Sequence, residues 1–372
     1  DLKLYIDGSN TNVFNDTTTG TLYDSNGWFE VGYAHASPPD PIDGIIDEVR
    51  LSSVARSESW LTTETNNLNN PGIGAGKFIK TADGEETEGG WYGACWQYRK
   101  KLTIDSSNLC GDLADFPALI SFTGDSDLAA GAQSDFDDVL FTSSDGTTKL
   151  SHEIEDYDST SGDIVAWVKI PSLSSSDDTD IYMYYGCSSA DNQQNPSGVW
   201  DEGYVGVWHL TENGNGTADE FKDSTQYANH GQGGEGDSLF VPTQTSGKVA
   251  NAQDFNNSDT KYDLIDLGND SSLDITGNQI TLQAWVKHSI VPDWGHWYGI
   301  LNHKGWDYGY RIFMPDNSLK LSFQLPGDTD NLTSAGDITA GDWHHVVATY
   351  DGATMNIYID GVKDTNERSK IN

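Results

Sequence analysis

A short acidic run brings several proton-exchanging side chains together in the sequence. Residues 152–158 are HEIEDYD, and Glu153 and Glu155 stand two positions apart. Alternate residues of a β-strand lie on one face, so these two carboxyl groups would share a face. Paired carboxylates on one face are the groups that glycoside hydrolysis requires. A solvated strand end explains the same residues more simply, so we predict no catalytic residues here.

Ring-bearing side chains crowd a second stretch of the chain. They are Trp294, His296, Trp297, Tyr298, Trp306, Tyr308 and Tyr310. Flat aromatic rings offer an apolar face on which a sugar ring can stack. Trp294 and Trp297 flank Gly295 in an expected loop, so these two are the candidates for contact with a glycan or with another subunit. Plain internal packing is the remaining interpretation of the run.

The charge of the chain narrows its partners. Its 372 residues suffice for two ordinary domains, and 58 acidic against 20 basic residues give a formal net charge of -38. Such a surface repels nucleic acid and anionic membranes, so neither is expected as a partner. Apolar runs fall short of the roughly 20 residues that span a bilayer, so we predict no membrane insertion. Because residue one is Asp1 and no signal peptide is present, we expect a processed product or a segment of something longer. Five Asn-x-Ser/Thr sites fit an exported protein.

The three cysteines are Cys95, Cys110 and Cys187, and their spacing fits no metal-binding motif. In an exported protein a disulfide is the expected use of cysteine. If the strand beginning near Trp96 pairs antiparallel with the strand ending at Gly186, Cys95 and Cys187 lie face to face. We favour that pair, although three cysteines allow three pairings and the odd thiol could bond a neighbouring chain.

The pattern of apolar residues predicts an all-β fold. Short alternating runs rich in Val, Ile, Thr, Tyr, Phe and Trp are separated by Asp-Gly, Asn-Gly and Ser-Asp clusters, which indicates two β-sandwich or jelly-roll domains. Expected strands include Lys101–Asp105, Val165–Ile170, Asp180–Tyr185, Thr281–Lys287, Leu319–Gln324, His344–Tyr350 and Met355–Asp360. Ser57 to Thr65 is the best candidate for a short helix.

The two ends of the chain carry near-copies of one strand. Leu2–Asp7 is LKLYID, and Met355–Asp360 is MNIYID. Neither end resembles the edge of a finished domain, so we expect the tail of one copy to be completed by the head of another. A head-to-tail contact of this kind does not close and builds a filament, while tandem repeats in one long polypeptide are the alternative. The predicted assembly residues are Leu4, Tyr5, Ile6, Ile46, Val49, Ile357, Tyr358 and Ile359.

Two blocks of the sequence resemble parts of one known fold. Residues 1–66 end in IDGIIDEVRLSSVARSESWL and resemble the closing third of a LamG-type, concanavalin A-like jelly roll. Residues 201–372 resemble the opening part of the same fold, from the Gly-x-Trp-x-Leu strand to WHHVVATYDGATMNIYIDG. The jelly roll is therefore predicted to be split between the chain ends and completed by strands from an adjacent copy. Within the closing strand we expect Asp47 and Arg50 to form a structural ion pair.

The middle block, residues 94–200, closely resembles the prokaryotic domain-of-unknown-function family 2341. The motifs are Trp96 with Tyr98-Arg99-Lys100, Phe141-Thr142 with Asp145-Gly146, Trp167–Pro171 and Tyr184-Tyr185-Gly186. The resemblance implies an all-β module that often precedes LamG-type modules in secreted and surface proteins, with no established activity. Residues 67–93, rich in Asn, Gly, Thr and Glu, are predicted to be a linker with little to bury, in which Lys77–Lys80 could add one edge strand.

These resemblances set the functional expectations. LamG-type modules often bind calcium at one rim, which implies Asp40, Asp43, Asp219 and Asp223 as candidate ligands, although no loop has EF-hand spacing. We predict a non-enzymatic subunit or repeat of an extracellular filament or cell-surface assembly, with copies of itself as partners. The alternative is a carbohydrate-binding adhesion module with a polysaccharide partner, and the outside alternative is a glycan hydrolase.

Overall fold

The structure is a computed structural model that describes residues 2–6, 9–14, 27–33, 41–87, 91–258, 261–289, 297–303, 309–326 and 331–369. Its elements are numbered in chain order. The first six strands are β1 Leu2–Ile6, β2 Ser9–Phe14, β3 Phe29–Val31, β4 Gly44–Ser52, β5 Ile79–Ala82 and β6 Tyr98–Ile104. The next six are β7 Leu113–Phe122, β8 Leu140–Ser143, β9 Lys149–Leu150, β10 His152–Asp158, β11 Asp163–Leu173 and β12 Thr179–Tyr185.

The strands of the C-terminal part follow. They are β13 Tyr204–Trp208, β14 Gln232–Gly233, β15 Thr243–Ser246, β16 Asn251–Phe255, β17 Asn257–Ser258, β18 Lys261–Tyr262, β19 Ile265–Asp266 and β20 Ile280–His288. The last are β21 Tyr298–His303, β22 Arg311–Met314, β23 Lys320–Gln324, β24 Leu332–Asp337, β25 His344–Tyr350, β26 Thr354–Ile359 and β27 Val362–Ser369. Helices are α1 Glu58–Asn69, α2 Ser126–Gly131 and α3 Pro196–Val199, with single 3-10 turns at Ser106–Asn108 and Gly234–Gly236.

The jelly roll consists of two facing antiparallel sheets. In the described residues one sheet has the order β15-β16-β4-β20-β25-β26-β27, with β13 paired to the second half of β4. The other has the order β14-β19-β3-β21-β22-β23-β24. Alternating apolar residues of both sheets meet in one core, which includes Phe29, Val49, Trp208 and Ile357. The all-β, concanavalin A-like architecture expected from the sequence is confirmed.

The middle of the chain forms a second, smaller sandwich. Its sheets have the orders β10-β11-β7 and β5-β6-β12-β8-β9. Strands β6, β11 and β12 were expected from the alternating pattern. Strand β6 begins three residues earlier than predicted, β11 is longer at both ends, and β12 is longer by one residue at its start.

The segment predicted as a linker is part of this second sandwich. Phe78 and Ile79 are fully buried, and β5 pairs with β6 at the edge of a sheet. The prediction that residues 67–93 have little to bury was therefore wrong, because two large apolar side chains are enough to fix an edge strand. The expected edge strand exists, two residues later than predicted.

Helix α1 lies between the two sandwiches. Ser57 caps its N-terminus by accepting a hydrogen bond from the backbone of Trp60. The Trp60 ring packs on Phe116 of the second sandwich, 5.1 Å between ring centres. On the jelly-roll side, Thr65 bonds the His345 Nδ1 at 2.8 Å. The predicted helix is therefore present, and it runs one turn further than expected.

The closing strand of the jelly roll comes from the same chain. Strand β4 lies between β16 and β20, where Ile46, Val49 and Leu51 fill the core face. An adjacent copy was expected to supply this strand, but in the structure of the single chain the N-terminal part already occupies the position. Completion by a second copy is thus not needed to close this sheet, and exchange between copies stays a prediction.

The strand at the start of the chain that nearly repeats β26 does not join the jelly-roll sheet in the described residues. β1, with Leu4, Tyr5 and Ile6, pairs with β2 in a separate hairpin, while β26 pairs with β25 and β27.

Among the helices of the described residues, none has the length and apolar character needed to cross a membrane.

Candidate functional site

Two β-bulges carry the acidic residues of the most unusual site in the molecule. In β4 the register shifts opposite Gln283 and Trp285, and Glu48 adopts a left-handed backbone conformation with φ 53°. In β10 the register shifts between Ile154 and Asp156, which leaves Glu155 as the extra residue. Bulges and positive φ at a non-glycine residue are costly, and they recur where a side chain must be aimed at a particular point.

The imidazole of His209 lies where these two bulges meet. Its Nδ1 is 2.8 Å from Glu48 Oε1 and 3.5 Å from Glu155 Oε2. Its Nε2 is 2.9 Å from Glu153 Oε1. The ring stacks on Trp167, with 5.8 Å between ring centres. His209 therefore joins the jelly roll to β10 of the second sandwich through three carboxylates.

Arg50 occupies the neighbouring position on β4. Its guanidinium bonds Glu48 at 2.6 Å and also pairs with Glu64 of α1. It lies over the rings of Trp167 and Trp200, 4.4 and 4.8 Å from their centres. This one buried side chain therefore links β4, α1 and the second sandwich, because a guanidinium can bond and stack at the same time.

Asp47 has a different role from the one expected. Its Oδ2 accepts hydrogen bonds from the backbone of Lys248 and Val249, at 2.7 and 3.0 Å. The predicted ion pair between Asp47 and Arg50 was wrong, since the bulge at Glu48 turns Glu48 toward Arg50 and leaves Asp47 to the backbone of a loop.

The pKa values of the acidic groups and of His209 depend on their burial and on the charges of their neighbours. Burial, reinforced by the neighbouring Glu48 charge, raises the pKa values of Asp47 and Glu155 well above the ordinary range. Burial also opposes the charged forms of Glu48 and His209, but the electrostatic attraction between the Glu48 carboxylate and the His209 imidazolium is stronger than this effect. The pKa of Glu48 is therefore lowered, and that of His209 is raised.

Glu153 and Glu155 are not a solvated strand end. Glu153 is 5% exposed, and the Glu155 side chain is 1% exposed. Glu153 accepts a hydrogen bond from Trp200 Nε1 at 2.8 Å, and Glu155 accepts one from Trp167 Nε1 at 2.7 Å. Both carboxylates therefore lie between the two domains, where each accepts a hydrogen bond from an indole N–H.

The aromatic candidates are partly described. Trp294 lies outside the described residues. Trp297 is half-buried, and its ring stacks on that of Phe313 with 5.1 Å between the ring centres. The Arg311 guanidinium lies 5.3 Å from the centre of the Trp297 ring. Tyr310, expected to pack internally, is buried and stacks on His303 at 4.7 Å. Contact of Trp297 with a glycan or with another subunit stays a prediction.

The calcium candidates are spread over the jelly roll. Asp40 lies outside the described residues, and Asp43 bonds Ser289 through its backbone carbonyl. Asp219 is exposed, and its carbonyl accepts from Lys222. Asp223 is buried, and its carboxylate accepts bonds from Val207, Thr225 and Asn229, which makes it a support of the loop. Among the described residues, metal-ligand spacing in a group of three or more occurs at Glu48, Glu155 and His209.

The predicted assembly residues divide into core and hairpin positions. Ile46, Val49 and Ile357 are in the jelly-roll core, and Ile359 packs against it. Tyr358 faces the opposite way, into the core shared with the second sandwich. Side chains of β1 lie outside the description.

The cysteines form the pair favoured from the sequence. Cys95 and Cys187 are joined by a disulfide, with their Cα atoms 5.0 Å apart. Cys110 is free and exposed. The bond ties the start of the second sandwich to the segment after β12.

Fold and site together define a two-domain β protein in which a concanavalin A-like jelly roll is packed on a smaller sandwich. Residues 259–370 match the family model of the concanavalin A-like lectin/glucanases superfamily, Laminin_G_3. Residues 135–226 match the model of the domain of unknown function DUF2341. The chain thus carries the two modules that the sequence motifs indicate. The second match continues beyond residue 200 through β13, a strand of the jelly-roll sheet. Comparisons with curated proteins and with solved structures found no match.

Proposed function

We propose that this protein is a non-enzymatic building unit of an extracellular surface assembly, in which copies join head to tail by exchanging the closing strand. A LamG-type domain fits a surface or adhesion module, which is the general class of the protein. The observation that carries the finer proposal is the position of β4. It is an inner strand of the jelly-roll sheet, yet it precedes the second sandwich in the chain, whereas its neighbours β16 and β20 follow it.

Exchange requires a segment that can redirect the chain. Helix α1 moves with β4, because Arg50 and Glu64 join them. Between α1 and β5 lies the stretch Asn70–Gly76, where Gly74 and Gly76 have φ values of 129° and 74°. A glycine-containing hinge allows the same contacts to form between copies, and an open chain of such exchanges is a filament.

Cysteine cross-linking of two different variants tests exchange directly. Ile45 and Lys287 are paired in register on β4 and β20, and both side chains are half-buried. Their spacing suits a disulfide. Ile45→Cys in one chain and Lys287→Cys in a differently tagged chain are co-expressed, both with Cys110→Ser to remove the exposed thiol.

A disulfide-linked pair of the two chains is expected on a non-reducing gel. A single chain carrying both substitutions is expected to give a ladder of covalent multimers. Lys363→Cys on the edge strand β27 replaces Lys287→Cys as the unmatched control and should give no link. Monomers with only internal disulfides at every protein concentration would refute exchange.

A second candidate function is carbohydrate binding, favoured by the half-buried Trp297. A glycan array probed with the full chain should show binding that Trp297→Ala weakens while leaving thermal stability nearly unchanged. Binding that is equal in both proteins would remove Trp297 from this role.

A further inference from the structure

We infer that Glu48, Glu155 and His209 bind a divalent transition-metal cation, best matched by Zn²⁺, that clamps the closing strand of the jelly roll to the second sandwich. One ligand comes from β4, one from β10 and one from the residue after β13. The site would therefore connect three segments that are distant in the sequence.

The ligand atoms have the spacing that such an ion needs. Zn²⁺ takes imidazole nitrogen and carboxylate oxygen at about 2.0–2.1 Å, which places ligand atoms about 3.3 Å apart in a tetrahedron. From His209 Nδ1, Glu48 Oε1 is at 2.8 Å and Glu155 Oε2 at 3.5 Å. One ligand atom from each of the three residues lies within 4.8 Å of the other two. Small side-chain shifts would bring them to one ion.

A third carboxylate, that of Glu153, contacts the other nitrogen of the imidazole. Metal-bound histidines usually donate their other ring N–H to a carboxylate, which fixes the ring and its tautomer. Glu153 Oε1 is 2.9 Å from His209 Nε2, and Trp200 Nε1 donates to that same oxygen at 2.8 Å. Nδ1 is thereby the nitrogen available to a metal.

One ligand has an oxygen without a partner. Glu155 Oε2 faces His209 and accepts from Trp167, but Oε1 of the same carboxylate is buried and accepts no hydrogen bond from the described residues. The side chain is 1% exposed, so water does not readily compensate. A buried carboxylate oxygen left in this way is costly, and a cation bound by both oxygens of Glu155 would satisfy it.

The charge of the cluster points the same way. Five buried acidic side chains, Asp47, Glu48, Glu64, Glu153 and Glu155, surround Arg50 and His209, with Arg56 and Lys248 at the edge of the cluster. A divalent ion held by Glu48, Glu155 and His209 would offset this excess of acidic groups. The His209 side chain keeps 10% exposure, which offers the ion a way in.

The metal content of the full chain tests the site. The Cys110→Ser protein is purified without chelators, incubated with excess Zn²⁺, passed through gel filtration and analysed by mass spectrometry for metals. One Zn²⁺ per chain is expected. Co²⁺ in place of Zn²⁺ should give visible ligand-field bands without thiolate charge transfer, and chelation should lower the melting temperature.

Conservative variants locate the ion. Glu48→Gln and Glu155→Gln should each weaken Zn²⁺ binding, and Glu153→Gln should weaken it about 10–100-fold through the imidazole. His344→Gln is the matched control, because His344 Nδ1 also lies 2.8 Å from a carboxylate, Asp360, at a more exposed position. This control should bind Zn²⁺ like the parent.

Two results would overturn the inference. One is a parent protein that retains no Zn²⁺ and gives no Co²⁺ bands, whatever the variants do. The other is a parent that binds Zn²⁺ with unchanged affinity in Glu155→Gln, which would place the ion elsewhere. Far-UV circular dichroism of each variant separates lost binding from lost folding, and the parent stoichiometry decides if a variant does not fold.

Discussion

Arg56 and Asp201 form a part-buried, bidentate ion pair across the junction of the two sandwiches. Nη1 and Nη2 of the arginine each lie 2.6 Å from one oxygen of the aspartate. Arg56 follows the closing strand, and Asp201 follows α3. The guanidinium also covers the rings of Trp60 and Tyr204, 4.5 and 4.1 Å from their centres. This ion pair therefore fixes the segment after the closing strand to the segment after α3, which connects the two domains.

We predict that Asp201→Asn lowers the free energy of unfolding by about 2 kcal/mol, because it removes a charge-assisted pair and leaves the arginine charge enclosed. Chemical denaturation measures the change. Asp178→Asn is the control, because its pair with Lys80 is solvent-exposed on both sides and should contribute about 0–1 kcal/mol. Equal losses in the two variants would contradict the prediction.

Asn67 on α1 acts as a substitute strand neighbour for β7. Its amide donates to the carbonyl of Leu119 at 2.9 Å and accepts from the Leu119 backbone N–H at 2.7 Å. Asn67→Ala leaves two buried backbone groups unpaired, so we expect a loss of about 2–4 kcal/mol in the free energy of unfolding. Asn66→Ala, which removes a single bond to Asn108, should cost less than half as much. A neutral Asn67→Ala would show that β7 does not depend on the helix.

Stability should fall in mild acid because of His345. Burial, with the nearby Arg50 charge, lowers its pKa to about 3 from an ordinary value of 6.5. Below pH 6.5 the unfolded chain gains a proton that the folded chain does not, so stability is present above that pH and declines as pH falls toward 3. The loss by about pH 4 should be roughly 3 kcal/mol.

Denaturation curves at several pH values measure this decline. His345→Phe keeps the ring stack on Trp285 and should flatten the pH dependence, and Thr65 retains its bond to the carbonyl of Leu61. An unchanged slope in the variant would assign the decline to other groups.

The Cys95–Cys187 disulfide should be a large contributor to stability. It closes a loop with a sequence separation of 92. Constraining a loop of this length in the unfolded chain stabilises the fold by about 4 kcal/mol. The double variant Cys95→Ser/Cys187→Ser should therefore melt well below the parent in calorimetry. Cys110→Ser removes an exposed thiol and should melt with the parent, and similar melting of all three proteins would refute this role.

Long strands such as β11, β20 and β26 could be predicted from the sequence because their β-branched and aromatic residues lie in short runs bounded by turn residues. The disulfide pair could be predicted too, since it needs only the pairing of β6 with β12. The site around His209 could not be predicted from the sequence. It depends on two bulges, at Glu48 and at Glu155, that a period-two pattern does not reveal.

The sequence also could not predict which chain supplies the neighbours of β4. Motif order showed that the closing strand is separated from the rest of its jelly roll, but local patterns cannot say whether the strand joins its own chain or another. Trp208 before His209 and the Ile-Asp-Glu-Val-Arg run were the available signals. They marked the strands correctly without showing that their outer faces meet a second domain.

The order of the strands along the chain has a consequence for biosynthesis. The backbone N–H of Arg56 bonds the Thr281 side chain, a partner 225 residues further on. At translation rates of about 5–20 residues per second, roughly 11–45 seconds separate the synthesis of Arg56 from that of Thr281. During that time β4 presents unpaired backbone edges and an apolar face. Most strands of the second sandwich are synthesised within this interval, so this domain can fold before the jelly roll is complete.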